Sequence, residues 1–300
     1  MAEASWLTDF PEMDRATLVA IRKALDGAYR DFSRSYGDVI EAVFDPLLHF
    51  LVWFEKLLLE TTWLVVLAAL VALAYAASRS IKLSAGVACA FLAIGYFGMW
   101  DDTMRTLSII TVATLLSIAL GIPTGIWMSR SDRAQGVVTA ILDIMQTMPA
   151  FVYLIPVVML LGIGKVPGII AVVIYAIPPV IRLTNLGIRL VDREIQEAAT
   201  AFGASRSQRL FGVQLPLAMP TIMAGINQTI MMALAMVVIA SMIGVRGLGQ
   251  PVLKSITNQY FTMGLFNGLA IVVIAIMFDR VSQGYARRRQ KHLAGMTGKA

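Results

Sequence analysis

The stretch Val191–Gly225, VDREIQEAATAFGASRSQRLFGVQLPLAMPTIMAG, decides how the rest of the chain is read. It opens with Asp192, Arg193, Glu194 and Glu197, adds Arg206 and Arg209, and carries no charge from Leu210 onward. Uncharged sequence lies on both sides, at Val166–Ile181 and through Leu210–Val245. A soluble domain does not set so short a polar insert between such long apolar blocks. A membrane protein with one projecting polar element does.

Working outward, windows free of Asp, Glu, Lys, Arg and His recur at Thr61–Ser78, Leu83–Trp100, Thr106–Ser129, Ile144–Gly164 and Ser255–Phe278. About 20 apolar residues cross a bilayer core as a helix. The chain is 58% hydrophobic and 15% charged, with mean hydropathy +0.73. Globular domains carry roughly 25% charged residues. The pattern predicts an all-α polytopic membrane protein with spans at roughly 61–78, 83–100, 105–129, 136–163, 166–184, 217–243 and 262–283. Cys89 is the single cysteine and lies inside one window, so no disulfide forms within the chain and no zinc site is expected. No GxxxxGK[ST] motif is present, so ATP hydrolysis by a P-loop is not expected of this chain. No cleavable signal peptide is expected either, because the first apolar block begins near residue 45.

The net charge of +6 is loop charge rather than a nucleic-acid footprint. With residue 1 outside, the inner loops hold Arg79, Lys82, Arg130, Arg133, Arg182, Arg189, Arg193, Arg206 and Arg209. The tail adds Arg280, Arg287, Arg288, Arg289, Lys291 and Lys299. The short outer loops hold Arg105, Lys165, Arg246 and Lys254. Cytoplasmic loops collect Lys and Arg, which predicts N-terminus outside and C-terminus inside. Lys165 and Arg182 bracket the fifth span and are expected to snorkel to the two interfaces.

Residues 1–60 carry 11 acidic and 6 basic side chains. Pro11 suits a first helical turn. Leu18, Ile21, Leu25 and Phe32 then recur at helical spacing, predicting an amphipathic helix outside the hydrocarbon. Asp45–Glu60 reads as an interfacial helix, with an eighth span or a soluble packing helix as the alternatives. Trp53, Phe54 and Leu57–Leu59 favour the membrane there, whereas Glu55, Lys56 and Glu60 do not. Residues 61–100 supply two accessory spans, and residues 284–300 a basic cytoplasmic tail that is able to meet anionic lipid.

Several polar or helix-breaking residues fall inside the spans. Asp143, near the start of the fourth span, is a carboxylate at the inner headgroup level or paired with a neighbouring helix, a structural residue at a protein–protein seam, or a proton-coupling group. Pro149 and Pro156 interrupt the fourth span, and Pro178 and Pro179 the fifth; such breaks mark a gate or a packing kink. Asn227, Gln228 and Thr229 form a polar step that lines a pore or bonds across helices. Trp100, Phe151 and Tyr153 suit either a cation–π contact or an interfacial belt. Before the last span, Gly244, Gly247 and Gly249 predict a long outer loop reaching Tyr260.

Within the opening stretch, Asp192 caps a helix running to about Phe202, with Glu194 in its first turn. Gly203 ends it. A second short helix is expected from Ser205 or Ser207 to about Val213, with Leu210, Phe211 and Val213 on an apolar face. Pro216 and Pro220 shape the start of the sixth span. The expected object is a helix–turn–helix knob projecting from the membrane.

Glu197-Ala198-Ala199, then Gly203, then Leu215-Pro216 resembles the EAA motif of bacterial ABC-importer permeases. Met145–Gly164, Ile177–Leu183, Gln214–Thr229 and Val237–Gly244 are similar to permeases of glycine betaine/proline betaine importers and their choline-importing relatives. The resemblance covers about residues 106–283. It implies a MetI-like permease core of five spans, residues 105–283, preceded by two additional transmembrane helices, with a cytoplasmic coupling loop at 185–216. It implies an ATPase-coupling set of Glu197, Ala198, Ala199, Gly203, Ala204, Arg206, Leu215 and Pro216. The pore or gate candidates are Asp143, Pro149, Tyr153, Pro156, Pro178, Pro179, Asn227 and Gln228. The implied partners are a second copy of the chain, two ABC ATPases on the cytoplasmic side, a periplasmic or lipid-anchored substrate-binding protein and membrane lipids, with no nucleic acid. The chain itself would bind no cofactor, ATP and magnesium belonging to the ATPase, and would sit as a non-catalytic subunit in a bacterial inner membrane. The implied cargo is choline, glycine betaine or proline betaine; another small solute such as an amino acid, or an ion-coupled carrier using Asp143, are the alternatives. Arg246 stands where the family pattern leads one to expect a small residue.

Overall fold

The computed structural model describes residues 12–297, with residues 286–297 and positions 38 and 41 as backbone only. Pro11 and Lys299 lie outside the described residues, as do the side chains of Arg287, Arg288, Arg289 and Lys291. All secondary structure among the described residues is helical.

Helix α1 spans Arg15–Glu60. The Asp14 carboxylate caps it by accepting from the backbone N–H of Ala16 and Thr17. The two helices expected from residues 1–60 are therefore one, and Pro46 is carried within it. At 46 residues it is about 70 Å long at the usual helical rise. The chain turns extended at Thr61 and enters α2, Trp63–Ser78, at 111° to the preceding segment. Arg79 in the left-handed region and the Ser80 cap then reverse it into α3, Ile81–Tyr96.

The centre of the molecule is built from α4, Trp100–Arg130, α7, Lys165–Ala176, α8, Pro178–Arg189, and α11, Leu215–Ala240. Ile109, Ile110, Val112, Ile169, Val172, Ala233, Leu234 and Met236 are buried where these helices meet. Gly125 of α4 lets α8 approach closely. A methyl group there would stand 2.6 Å from Cβ of Thr184 and 2.8 Å from the Ile181 carbonyl oxygen. Small residues at such crossings replace the hydrophobic drive that lipid cannot supply. Pro178 and Pro179 occupy the first positions of α8, where a missing N–H costs nothing. Hence α7 and α8 continue as one 25-residue unit, jointed at Ile177.

Helix α5, Asp132–Thr147, and helix α6, Leu154–Leu161, stand at 109° to each other across Pro149 and the 3-10 turn Ala150–Tyr153. The segment 136–163 is thus a broken element rather than one straight span. Only Pro149 marks the break. Pro156 falls in the first turn of α6, which tolerates it.

Helix α9 is Arg193–Ala201 and α10 is Arg206–Arg209. Helix α12 is Gly249–Asn258, and α13, Phe261–Thr297, packs against α11, α12 and α2. Most of the outer loop expected before the last span is therefore helix. Gly249, expected in that loop, sits in the first turn of α12 together with Pro251. Gly249 is needed there because a Cβ would meet the Val237 carbonyl oxygen at 2.5 Å.

Four described helices are long and apolar enough to cross a membrane alone; counting each bent pair as one span gives six. The molecule is an all-α, multi-pass membrane protein. Seven independent spans do not emerge by length, because α2 and α3 have only 16 residues each, a rise of about 24 Å.

Candidate functional site

The projecting element begins where α8 ends. The Asp192 carboxylate accepts from the Glu194 N–H at 2.8 Å, and Arg193 pairs with Glu197 one turn on at 3.1 Å. Gly203 takes φ +82°, which lets the Ala204 N–H turn back to the Ala199 carbonyl at 3.0 Å. That left-handed step is the reason for glycine here. Ser205 and Gln208 then form a reciprocal capping box that starts α10.

The second helix of the knob is shorter than expected. After Arg209 the chain makes a π turn, Leu210–Gln214, and runs without a gap into α11. The knob is therefore not a hairpin hung between two spans. Its second limb is the start of a spanning helix, and from Arg206 to Ile243 the helix is continuous.

The root of the knob is buried. Leu210 packs with Ile188, Val191, Ala218 and Ile222 in a small separate core. The outer face is open. Glu197, Ala198, Gly203 and Arg206 are exposed, while Ala199, Ala204, Leu215 and Pro216 are half-buried. Phe202 is 92% exposed and Phe211 65%. Sequence reasoning passed over Phe202, treating it as the end of a helix. A phenylalanine directly before a left-handed glycine is the signal that was available, since such a residue is presented at a turn.

The pore and gate candidates have separate partners. Asp143 pairs with Arg182 of α8 at 2.5 Å, so Arg182 is engaged by a neighbouring helix. Tyr153 is buried, donates to the Met145 carbonyl and meets Tyr175 edge-on, 6.4 Å between centroids. The Pro156 carbonyl accepts from the Tyr29 hydroxyl at 2.6 Å. Pro178 and Pro179 are buried in the α8 joint. Asn227 donates to Asp279 at 2.8 Å and accepts from Ser282 at 2.9 Å, while Gln283 holds both Asp279 oxygens. This network fastens α11 to α13. Gln228 is exposed. Among the described residues no three His, Cys, Asp or Glu side chains gather as a metal-ligand set.

A second polar cluster sits at the end of the molecule far from the knob, and its pairing is not legible from residue order. Glu55 of α1 is buried at 8% exposure. It accepts from Lys165 of α7 at 2.6 Å and faces Arg105 of α4 at 3.9 Å, and Arg105 in turn reaches Asp102 at 3.4 Å. Beside it, Thr106 donates to the Asp102 carbonyl at 2.8 Å and accepts from the buried Leu248 N–H at 2.9 Å.

Residues 117–291 match the model of the binding-protein-dependent transport system inner membrane component. The chain belongs to that family. It is 47% identical over 252 residues to the glycine betaine/proline betaine transport system permease protein ProW of Escherichia coli, covering 84% of this chain and 71% of that protein. It is 54% identical over 196 residues to the Salmonella typhimurium permease of the same name, covering 65% of this chain and 55% of that one. Among solved structures, the inward facing MetNI methionine ABC transporter aligns with TM-score 0.57 at 20% identity, over 62% of this chain and 93% of the matched chain. That likeness concerns the fold. As a member of this family the chain is a non-catalytic permease component of an inner-membrane transport system.

Proposed function

We propose that the chain forms, as a homodimer, the pore of an ATP-driven importer for quaternary ammonium solutes, with glycine betaine and proline betaine as the preferred cargo. The observation that carries this reading is the knob. It presents an exposed face on a buried root and is continuous with a spanning helix. Such an element transmits force rather than merely connecting spans. An ATPase subunit, holding ATP and magnesium, presses on Glu197, Ala198, Ala199, Gly203, Ala204 and Arg206, with Phe202 filling a hollow in its surface. Leu215 and Pro216 pass the displacement into α11. The names of the relatives support the choice of cargo.

The same reading places the knob and the basic C-terminal tail in the cytoplasm and α1 outside, in keeping with the distribution of Lys and Arg. Residues 61–100 then add two spans to a MetI-like core of five at 105–283. A substrate-binding protein docks on the far end, near the Gly244–Gly249 turn, where Arg246 is exposed. Asp143 contributes to packing through Arg182 and does not carry a coupling proton.

Proteoliposomes holding the chain with its ATPase and binding protein test this directly. Radiolabelled glycine betaine should enter only with ATP available to the ATPase. Uptake by the chain alone would reject the ABC mechanism, and ATP-driven uptake of an amino acid without betaine would reject the cargo. Orientation is tested with Ser207→Cys in a Cys89→Ser background, which should react with impermeant maleimide from the cytoplasmic side alone.

A further inference from the structure

Between α9 and the foot of α11, Gln196 and Gln214 form a side-chain link. Gln196 is half-buried and turned away from the exposed face that Glu197 and Ala198 share. Its Nε2 donates to the Val191 carbonyl at 2.8 Å, and its Oε1 accepts from Gln214 Nε2 at 2.7 Å. Gln214 is the last residue of the π turn and is followed directly by α11. The two glutamines thus connect three points: the end of the α8 segment, the middle of α9 and the first residues of the spanning helix.

The π turn matters to this contact. Its wider i to i+5 closure, with the Leu215 N–H bonded to the Leu210 carbonyl, inserts one residue into the helical register. Downstream side chains rotate by about 100° relative to an uninterrupted α-helix. Gln214 faces Gln196 in that register, while Leu210 keeps its place among Ile188, Val191, Ala218 and Ile222. Such π turns are uncommon and are often found at functional sites. A second contact, Arg209 Nη1 to Thr200 Oγ1 at 3.0 Å, joins the same two limbs nearer the tip, but both partners there belong to the knob. The glutamine pair lies one turn further along the continuous helix, directly before the first residue of α11.

We infer that Gln196 and Gln214 form a transmission clasp, positioning residues that make α9 and α11 move as one body when the ATPase displaces the knob. The inference rests on the proposed coupling role of the knob. Neither glutamine touches solute or nucleotide. Without the clasp, α9 keeps the Arg209–Thr200 bond near the tip, while the Leu210 cluster below it includes no residue of α9 and permits sliding because dispersion contacts are not directional.

The test uses the full transporter in proteoliposomes and compares basal ATPase activity, ATPase activity with solute-loaded binding protein, and solute moved per ATP. Gln196→Leu and Gln214→Leu should each lower the solute stimulation and the transport per ATP about five-fold, with ATPase co-purification and basal hydrolysis kept. The double variant should be no worse than Gln196→Leu alone, since that change already removes both the shared bond and the bond to Val191. Gln196→Glu keeps an acceptor for Gln214 and should retain most of the coupling. Unchanged coupling in the single variants would overturn the clasp, as would losses that multiply in the double variant. Loss of ATPase co-purification would also overturn it, by making these residues docking contacts. Failure of the wild-type chain to recruit an ATPase would instead remove the underlying coupling reading.

Discussion

The two ends of this molecule are fastened by different chemistry. At the far end, Glu55 is buried between Lys165 and Arg105, and the Thr106 hydroxyl closes a buried bond to the Leu248 N–H. Four elements, α1, α4, α7 and the turn before α12, are held there by charge and directional bonds. At the knob end the root is apolar, held by Leu210 and its neighbours, and the ion pairs there, Arg193–Glu197 and Arg189–Asp132, lie largely in solvent rather than buried. The far end is therefore stapled, whereas the knob end is seated and leaves its face open. Buried ion pairs are costly to break singly, because the abandoned partner remains desolvated. Packed apolar contacts tolerate small displacements better. This division suits the proposed push on the knob.

The largest expected effect comes from removing the staple. Glu55→Ala leaves Lys165 and Arg105 without their shared carboxylate and should destabilise the fold by about 3 kcal/mol, toward the low end for a broken buried pair because both cations keep partial solvent access. Unfolding of the purified chain by sodium dodecyl sulfate would show this. An unchanged midpoint would mean that the far end is not stapled by charge.

Thr106→Val sharpens the same contrast. It keeps the shape of the side chain and strands the buried Leu248 N–H, for an expected cost of about 2 kcal/mol in the same unfolding assay. Asp143→Asn should matter least. Its pair with Arg182 is largely exposed, so the loss should stay within about 1 kcal/mol. ATP-driven uptake by that variant should persist, and its abolition would return Asp143 to the transport chemistry.

How much of this was legible in the sequence depends on whether the cause was local. The start and end of α9 were readable because Asp192 and Gly203 act on their own backbone. The Pro178–Pro179 joint was readable for the same reason, since a proline fixes its own dihedral wherever it stands. The membrane class followed from uncharged windows alone. Contacts between distant residues were not readable. Glu55 and Lys165 are 110 positions apart, and Asn227 and Asp279 are 52 apart. Periodicity says that each must find a partner, without saying which. Helix α12 was hidden because Gly249 and Pro251 resemble a loop until the packing of Gly249 on α11 supplies their reason. Phe202 was hidden because a sequence shows that a residue is apolar, not that the fold leaves it in solvent.

The central claim is that the open face of the knob receives the ATPase. Phe202 tests it most directly, because at 92% exposure its removal costs the isolated fold almost nothing. The measurement is the affinity of the purified permease carrying Phe202→Ala for its ATPase, taken together with solute-stimulated hydrolysis in proteoliposomes. The expected result is an unaltered unfolding midpoint, affinity weakened by about 30-fold as for a buried aromatic anchor, and loss of solute stimulation. Wild-type affinity and full stimulation in that variant would contradict it.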